Sequence, residues 1–292
     1  METGLSPEQR IAAFRDLMDL HALGEDRFTI GPHPRGRPRL FGGQVIAQAM
    51  QAAELTMDDD VFRPHSLHAY FLRPGSEILP IEYAVERNLE GRTFRNRRVV
   101  ASQAGKILFT MAMSFHREGQ ALDHRLEMPD VQPPEDLPGE NEVLETLLGE
   151  KADMLNHFSR SRPFEVRIPV SARQIELRTR DEPYYYWFRS AAPLGNDPRH
   201  HRGLLGYASD FGLLIAAAVR HGRDFFRGDT HATSLDHAVW LHEPGLNADD
   251  WLLYSTDSPW AGLGRAFARG NIFTRDGQLV ASVAQEGMIS LA

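Results

Sequence analysis

The chain has no cysteine. That removes a disulfide framework, a thiolate nucleophile and a Cys-based zinc site together. Lysine is nearly absent: Lys106 and Lys151 stand alone, and every other basic side chain is arginine. The skew reads as the mark of a GC-rich bacterial genome rather than of a binding role. Positive charge is in deficit, with a formal net charge of −8, which counts against a nucleic-acid partner. No apolar run approaches the roughly 20 residues of a membrane span. The N-terminus, Met1 to Glu8, lacks the basic and apolar regions of a signal peptide, and Ile289-Ser290-Leu291-Ala292 is not the peroxisomal tripeptide. A cytoplasmic protein with no membrane span is expected. Walker loop, dinucleotide glycine fingerprint and Gly-x-Ser-x-Gly elbow are all missing. The histidines have no metal-binding spacing: His65 and His68 fall on opposite faces of a strand, and His200-His201 fall in a loop. Neither a metal nor a cofactor is expected.

What the chain does have is a repeat. Pro74-Gly75, Gly91-Arg92-Thr93-Phe94 and Gly105-Lys106-Ile107-Leu108 return as Pro244-Gly245, Gly264-Arg265-Ala266-Phe267 and Gly277-Gln278-Leu279-Val280, about 170 positions later. A length of 292 residues accommodates two ordinary domains, and the repeat selects that division. The boundaries read as a first half over 1–125, a linker or crossover over 126–160, and a second half over 161–292.

Each half reads as a long helix plus an antiparallel sheet, an α+β fold. Ser6-Pro7-Glu8-Gln9 opens a helix to about Leu23, by N-cap chemistry with Pro at the first helical position. Phe28-Thr29-Ile30 is a short strand. From Gly43, Val45, Ile46, Ala49, Met50 and Ala53 form one apolar helical stripe. Strands follow at about 63–73, 80–89, 93–103 and 106–116. The prolines and acids of 128–139 mark the linker, and 140–155 has helical spacing. The second half reads as strands near 164–168 and 184–190, a helix from about Ser209, then strands near 230–242, 250–258, 263–273 and 278–288. Edge-to-edge pairing of the two sheets would lay the helices side by side and remove unprotected edges.

Polar chemistry stands on the second copy alone. Asp210 lies at the expected start of a helix, where a carboxylate either caps free N–H groups or acts as a base. Ser234 lies in a strand, as a hydroxyl for catalysis or an ordinary strand serine; alternation sends it to the face of Asp236. Gln285 interrupts an apolar strand at a position matching Met113 of the first copy. An amide buried there needs partners that folding alone does not require. Gly42-Gly43-Gln44 opens the first helix, as a tight turn or as donors to an oxyanion from Gly43 and Gln44. Arg35, Arg37 and Arg39, with Arg92, Arg95, Arg97 and Arg98, form either a solvated rim or phosphate contacts. Arg95 and Arg97 share a strand face.

In order and spacing, several segments resemble the acyl-CoA thioesterase II (TesB-like) family. They are Phe41-Gly42-Gly43-Gln44-Val45, His65-Ser66-Leu67-His68-Ala69-Tyr70-Phe71-Leu72-Arg73-Pro74-Gly75, Leu205-Gly206-Tyr207-Ala208-Ser209-Asp210, Ser234-Leu235-Asp236-His237, Trp251-Leu252-Leu253-Tyr254 and Val283-Ala284-Gln285-Glu286-Gly287. The resemblance implies a double hotdog fold, a catalytic Asp210, Ser234 and Gln285, and hydrolysis of fatty acyl-CoA. Many members have Thr at the middle position, and Ser keeps the hydroxyl. It also implies a homo-oligomer, a dimer or tetramer, with Arg35, Arg37, Arg95 and Arg97 as candidates for the CoA phosphates. Two alternatives remain. A non-catalytic acyl-CoA binding or sensing protein would be expected to lose part of the polar set. A hotdog enoyl-CoA hydratase would resemble its relatives in an Asp followed five residues later by His, where this chain has Ile215.

Overall fold

The computed structural model describes residues 4–34, 39–119, 122–148, 161–168, 184–221, 230–243 and 246–291. Arg35, Arg37, the turn Pro244-Gly245 and the end of the expected 140–155 helix lie outside them.

Helix α1 (Pro7–Met18) begins with a capping box, Ser6 accepting from the Gln9 N–H and Gln9 answering through its side chain. It stops short of Leu23, because His21–Gly24 (β1) turns back to pair with β2 (Arg27–Ile30). Helix α2 (Gly42–Glu54) is buried almost all round, so it is the core axis of the first half. Strands β3 (Phe62–Phe71), β4 (Ile81–Glu90), β5 (Phe94–Gln103) and β6 (Lys106–Arg117) wrap it. The crossover carries α3 (Glu140–Leu148).

The second half opens with β7 (Phe164–Arg167) and β8 (Tyr184–Ser190). Helix α4 (Pro198–Ser209) then ends at Asp210, and a short α5 (Ile215–Arg220) follows. The expected helix start at Ser209 is therefore a helix end. Asp197 caps α4 and Pro198 occupies its first turn. Gly203 and Gly206 make this segment look like a loop, yet both are packing sites. A Cβ on Gly203 would lie 2.5 Å from Met18, and one on Gly206 2.5 Å from Met50 of α2. The expected strand over 230–242 is two, β9 (Thr230–Ser234) and β10 (Asp236–Leu241), broken at Leu235. Strands β11 (Leu252–Gly262), β12 (Arg265–Thr274) and β13 (Leu279–Leu291) complete the half.

Among the described residues the strands form one antiparallel sheet ordered β1-β2-β4-β5-β6-β3-β10-β13-β12-β11-β8-β7, with β9 added on β13. The halves join at β3–β10, Tyr70 opposite Asp236 and Ser66 opposite Trp240. The order β4-β5-β6-β3 is mirrored as β11-β12-β13-β10 across that seam, a double hotdog with α2 and α4 packed side by side within it. The crossover also covers part of the outer face of the second half. Leu137, Trp187, Trp251, Leu253 and Phe273 make a separate core there, and the Trp187 indole donates to the Gln132 carbonyl at 2.9 Å. That explains the run of aromatics in β8: Tyr184, Tyr186 and Phe188 face the main core, and Trp187 faces the crossover. Among the described residues no helix is long and apolar enough to cross a membrane.

Candidate active site

Asp210, Ser234 and Gln285 come together. They arrive from the end of α4, the end of β9 and the middle of β13. The Ser234 hydroxyl donates to Asp210 Oδ1 at 3.1 Å. The Gln285 amide nitrogen donates to the same oxygen at 2.9 Å and also to Ser234 Oγ. The break at Leu235 lets Ser234 turn inward. Asp236 stays on the face of Trp240 and accepts the Glu286 N–H at 2.7 Å, so the two do not share a face as simple alternation predicts.

Asp210 is held rigidly. The carbonyls on either side of it are pinned by buried phenols: Tyr254 donates to Ser209 O at 2.9 Å and Tyr186 to Phe211 O at 2.6 Å. Its carboxylate is not stabilised by its own helix, whose negative end it occupies. Donors come instead from Gln285, Ser234 and, across the two halves, the backbone N–H of Gly43 at the start of α2. Burial outweighs them and pushes the carboxyl up to about 6.

The sequence pattern offered Gly43 and Gln44 as oxyanion donors. The Gly43 N–H serves Asp210, and the Gln44 N–H closes on Phe41 O at 3.1 Å. Gly42 is the glycine that reaches the site: a Cβ there would lie 2.5 Å from Asp210 Oδ2 and 3.0 Å from the Phe71 ring. A cavity of about 520 Å³ opens at this point, walled by both halves. Val45, Phe71, Leu108, Phe109, Leu214 and Ile215 make it apolar, Asp210 and Ser234 reach it, and Arg39 and Arg73 stand at its edge.

Of the other arginines, Arg97 is fully buried. Its guanidinium donates to Thr56 Oγ1 at 2.8 Å and pairs with Glu90, fastening the C-terminal end of α2. It has no surface to offer a phosphate. Arg95 lies over the Phe62 ring and pairs with Asp59 and Glu90. Neither lines the cavity. Arg73, which does, sits inside the quoted motif but carries no spacing signal of its own. Among the described residues no three His, Asp or Glu side chains converge on a metal position.

Two family models match the chain: acyl-CoA thioesterase N-terminal domain over residues 29–116 and acyl-CoA thioesterase over 155–288. Acyl-CoA thioesterase 2 of Haemophilus influenzae is 36% identical over 94% of this chain and 95% of its own length. Acyl-coenzyme A thioesterase 8 of Rattus norvegicus is 34% identical over 98% and 91%. A crystal structure of acyl-CoA thioesterase II TesB2 from Mycobacterium marinum superposes with a TM-score of 0.78 at 36% identity, covering 96% of this chain and 98% of that one. Duplication, joined sheets and likeness along nearly the whole length agree: the chain belongs to the acyl-CoA thioesterase II (TesB-like) family and is an acyl-CoA thioester hydrolase.

Proposed function

We propose that this chain hydrolyses fatty acyl-CoA by direct attack of one water held by Asp210, Ser234 and Gln285. One observation carries the reading: Ser234 and Gln285 both converge on Asp210 Oδ1 at the wall of an apolar cavity. A carboxyl near 6 is ionised at neutral pH yet a stronger base than an exposed aspartate. Asp210 takes a proton from the water, and the hydroxide oxygen bonds to the thioester carbonyl carbon. The tetrahedral intermediate collapses by breaking its C–S bond. The fatty acid and CoA leave, the thiolate taking up the proton that Asp210 accepted. Ser234 and Gln285 hold the geometry and form no bond to the acyl group. The positive end of α2, presented by Gly42, supports the developing oxyanion.

The acyl chain lies along Val45, Phe71, Phe109, Leu214 and Ile215, and the CoA phosphates meet Arg39 and Arg73 at the edge. A complete polar set supports hydrolysis over mere binding, and Ile215 in place of a histidine speaks against a hydratase. We also infer a homo-oligomer, because Tyr70 and Trp240 stand exposed on the outer face near the seam, 60% and 37% accessible; light scattering in solution tests it, and a monomer at all concentrations removes it.

Release of free CoA from short-, medium- and long-chain acyl-CoAs, wild type against Asp210→Asn, tests the proposal. Collapse of turnover in a folded variant is the expected result. Equal hydrolysis by both would take Asp210 out of the chemistry. An acyl adduct on Ser234, trapped by rapid quench and found by mass spectrometry, would replace the water route with a covalent one.

A further inference from the structure

Directly behind the polar cluster lies His237. The β10–β13 ladder sets Ala238 opposite Ala284 and Val239 opposite Val283. One more step in that register sets His237 opposite Gln285. Facing residues of an antiparallel pair share a face, with Cβ atoms about 5 Å apart. The next pair on this face, Val239 and Val283, belongs to the main core. His237 and Gln285 are 0% and 1% exposed. Each leaves one buried polar atom outside every regular hydrogen bond: Nδ1 on His237 and Oε1 on Gln285. The Gln285 side chain acts on the imidazole, favouring its protonation against the burial that opposes it. On its far side His237 Nε2 lies 2.8 Å from Ser209 Oγ, next in sequence to Asp210.

The proton arrangement follows. While Asp210 is ionised, an acceptor oxygen beside Oδ1 is repelled, so Gln285 must turn its NH₂ toward Asp210 and Ser234. Its Oε1 then points at His237 and needs a donor. Burial holds the imidazole neutral, so only one ring nitrogen carries hydrogen. A proton on Nδ1 serves Gln285, and Nε2 then takes the single Ser209 hydroxyl hydrogen, which turns to it from the Gly206 carbonyl 2.9 Å away. A proton on Nε2 would set two acceptors against each other at Gln285.

We propose that His237 is a positioning residue of this site: as the Nδ1–H tautomer it donates to Gln285 Oε1 and aims the Gln285 NH₂ at Asp210 and Ser234. The inference rests on the hydrolytic reading above for its kinetic effect, but not for its tautomer.

Nitrogen-15 NMR of imidazole-labelled protein, with His237 assigned by its loss in His237→Asn, reads the tautomer directly. Hydrogen on Nδ1 is expected, and hydrogen on Nε2 would overturn the proposal whatever Asp210 does. Kinetics form the second arm. His237→Leu is expected to lower kcat about 100-fold with KM changed less than about threefold, the signature of a misaimed group. His237→Asn places an amide nitrogen near the Nδ1 position and is expected to restore kcat to within about tenfold of wild type. Equal losses in folded Leu and Asn variants would overturn the role. His237→Gln, whose amide reaches toward the Nε2 position instead, covers the case of an unfolded Leu variant. It is expected to be slow, and full turnover in it would equally overturn the role. Full turnover in Asp210→Asn would sink the hydrolytic reading, leaving the tautomer to be judged by its spectrum.

Discussion

Gly43 of the first half donates its backbone N–H to Asp210 of the second. The repeat thus has one site because the two halves contribute unlike parts. One brings the amino end of a helix and the other the carboxylate that ends its counterpart.

Two adjacent glycines then predict two different failures. Gly42→Ala puts a methyl group between Asp210 and Phe71, within 2.5 Å of the carboxylate. The protein is expected to fold and to lose about 100-fold or more in kcat/KM. Gly43→Ala instead drives a methyl to 2.1 Å from the Tyr207 carbonyl of α4, and the helices must separate. A loss of about 1–3 kcal/mol in stability is expected. Denaturant titration beside steady-state kinetics separates the two.

The pH profile of kcat/KM is expected to rise to a plateau through about 6, where Asp210 ionises. The same shift acts on stability. The folded pKa lies above the ordinary 3.8, so the folded state holds the proton more tightly. The stability this contributes is full below 3.8 and lost as pH rises through about 6, on the order of 3 kcal/mol. Asp210→Asn removes this loss, so its melting temperature should gain on wild type between pH 4 and 7. Parallel curves over that range would contradict the burial argument.

His237 runs the other way. Burial lowers its pKa from 6.5 to about 3, so the unfolded chain takes up a proton that the folded one refuses. Stability falls as pH drops below 6.5, by up to about 1.4 kcal/mol per pH unit. His237→Asn is expected to flatten the acid limb of a melting-temperature profile, and an unchanged limb would place the sensitivity elsewhere.

Arg73 and Arg97 are expected to fail differently as well. Arg73→Ala, at the cavity edge, should raise KM for acyl-CoA several-fold and weaken its salt dependence, with kcat held. Arg97→Ala should leave KM alone and cost about 3 kcal/mol of stability, since a buried guanidinium is removed from Thr56 and Glu90. A KM effect from Arg97 would show that phosphate contact reaches it after all.

Much of this was legible in the chain. The strands β3 to β6 fall within two residues of their sequence-based bounds, because each is a β-branched or aromatic run closed by Gly or Pro. Gln285 stood out by comparison with Met113: an amide where the repeat has a methionine. Helix α4 was not legible, because Gly203 and Gly206 act as breakers in isolation and as contact points against Met18 and Met50. Arg97 matched its neighbours in type, and only burial separates it from a surface cation.

Local chemistry is set by sequence: the caps of α1, the turns, the alternation of each strand, and the identity of Asp210, Ser234 and Gln285. These depend on neighbours a few positions away. The tertiary structure decided that Asp210 ends a helix rather than starting one, that Gly43 serves it, and that His237 stands opposite Gln285. Each of those depends on groups distant along the chain or on different strands, and only packing α2 against α4 and β10 against β13 brings them face to face.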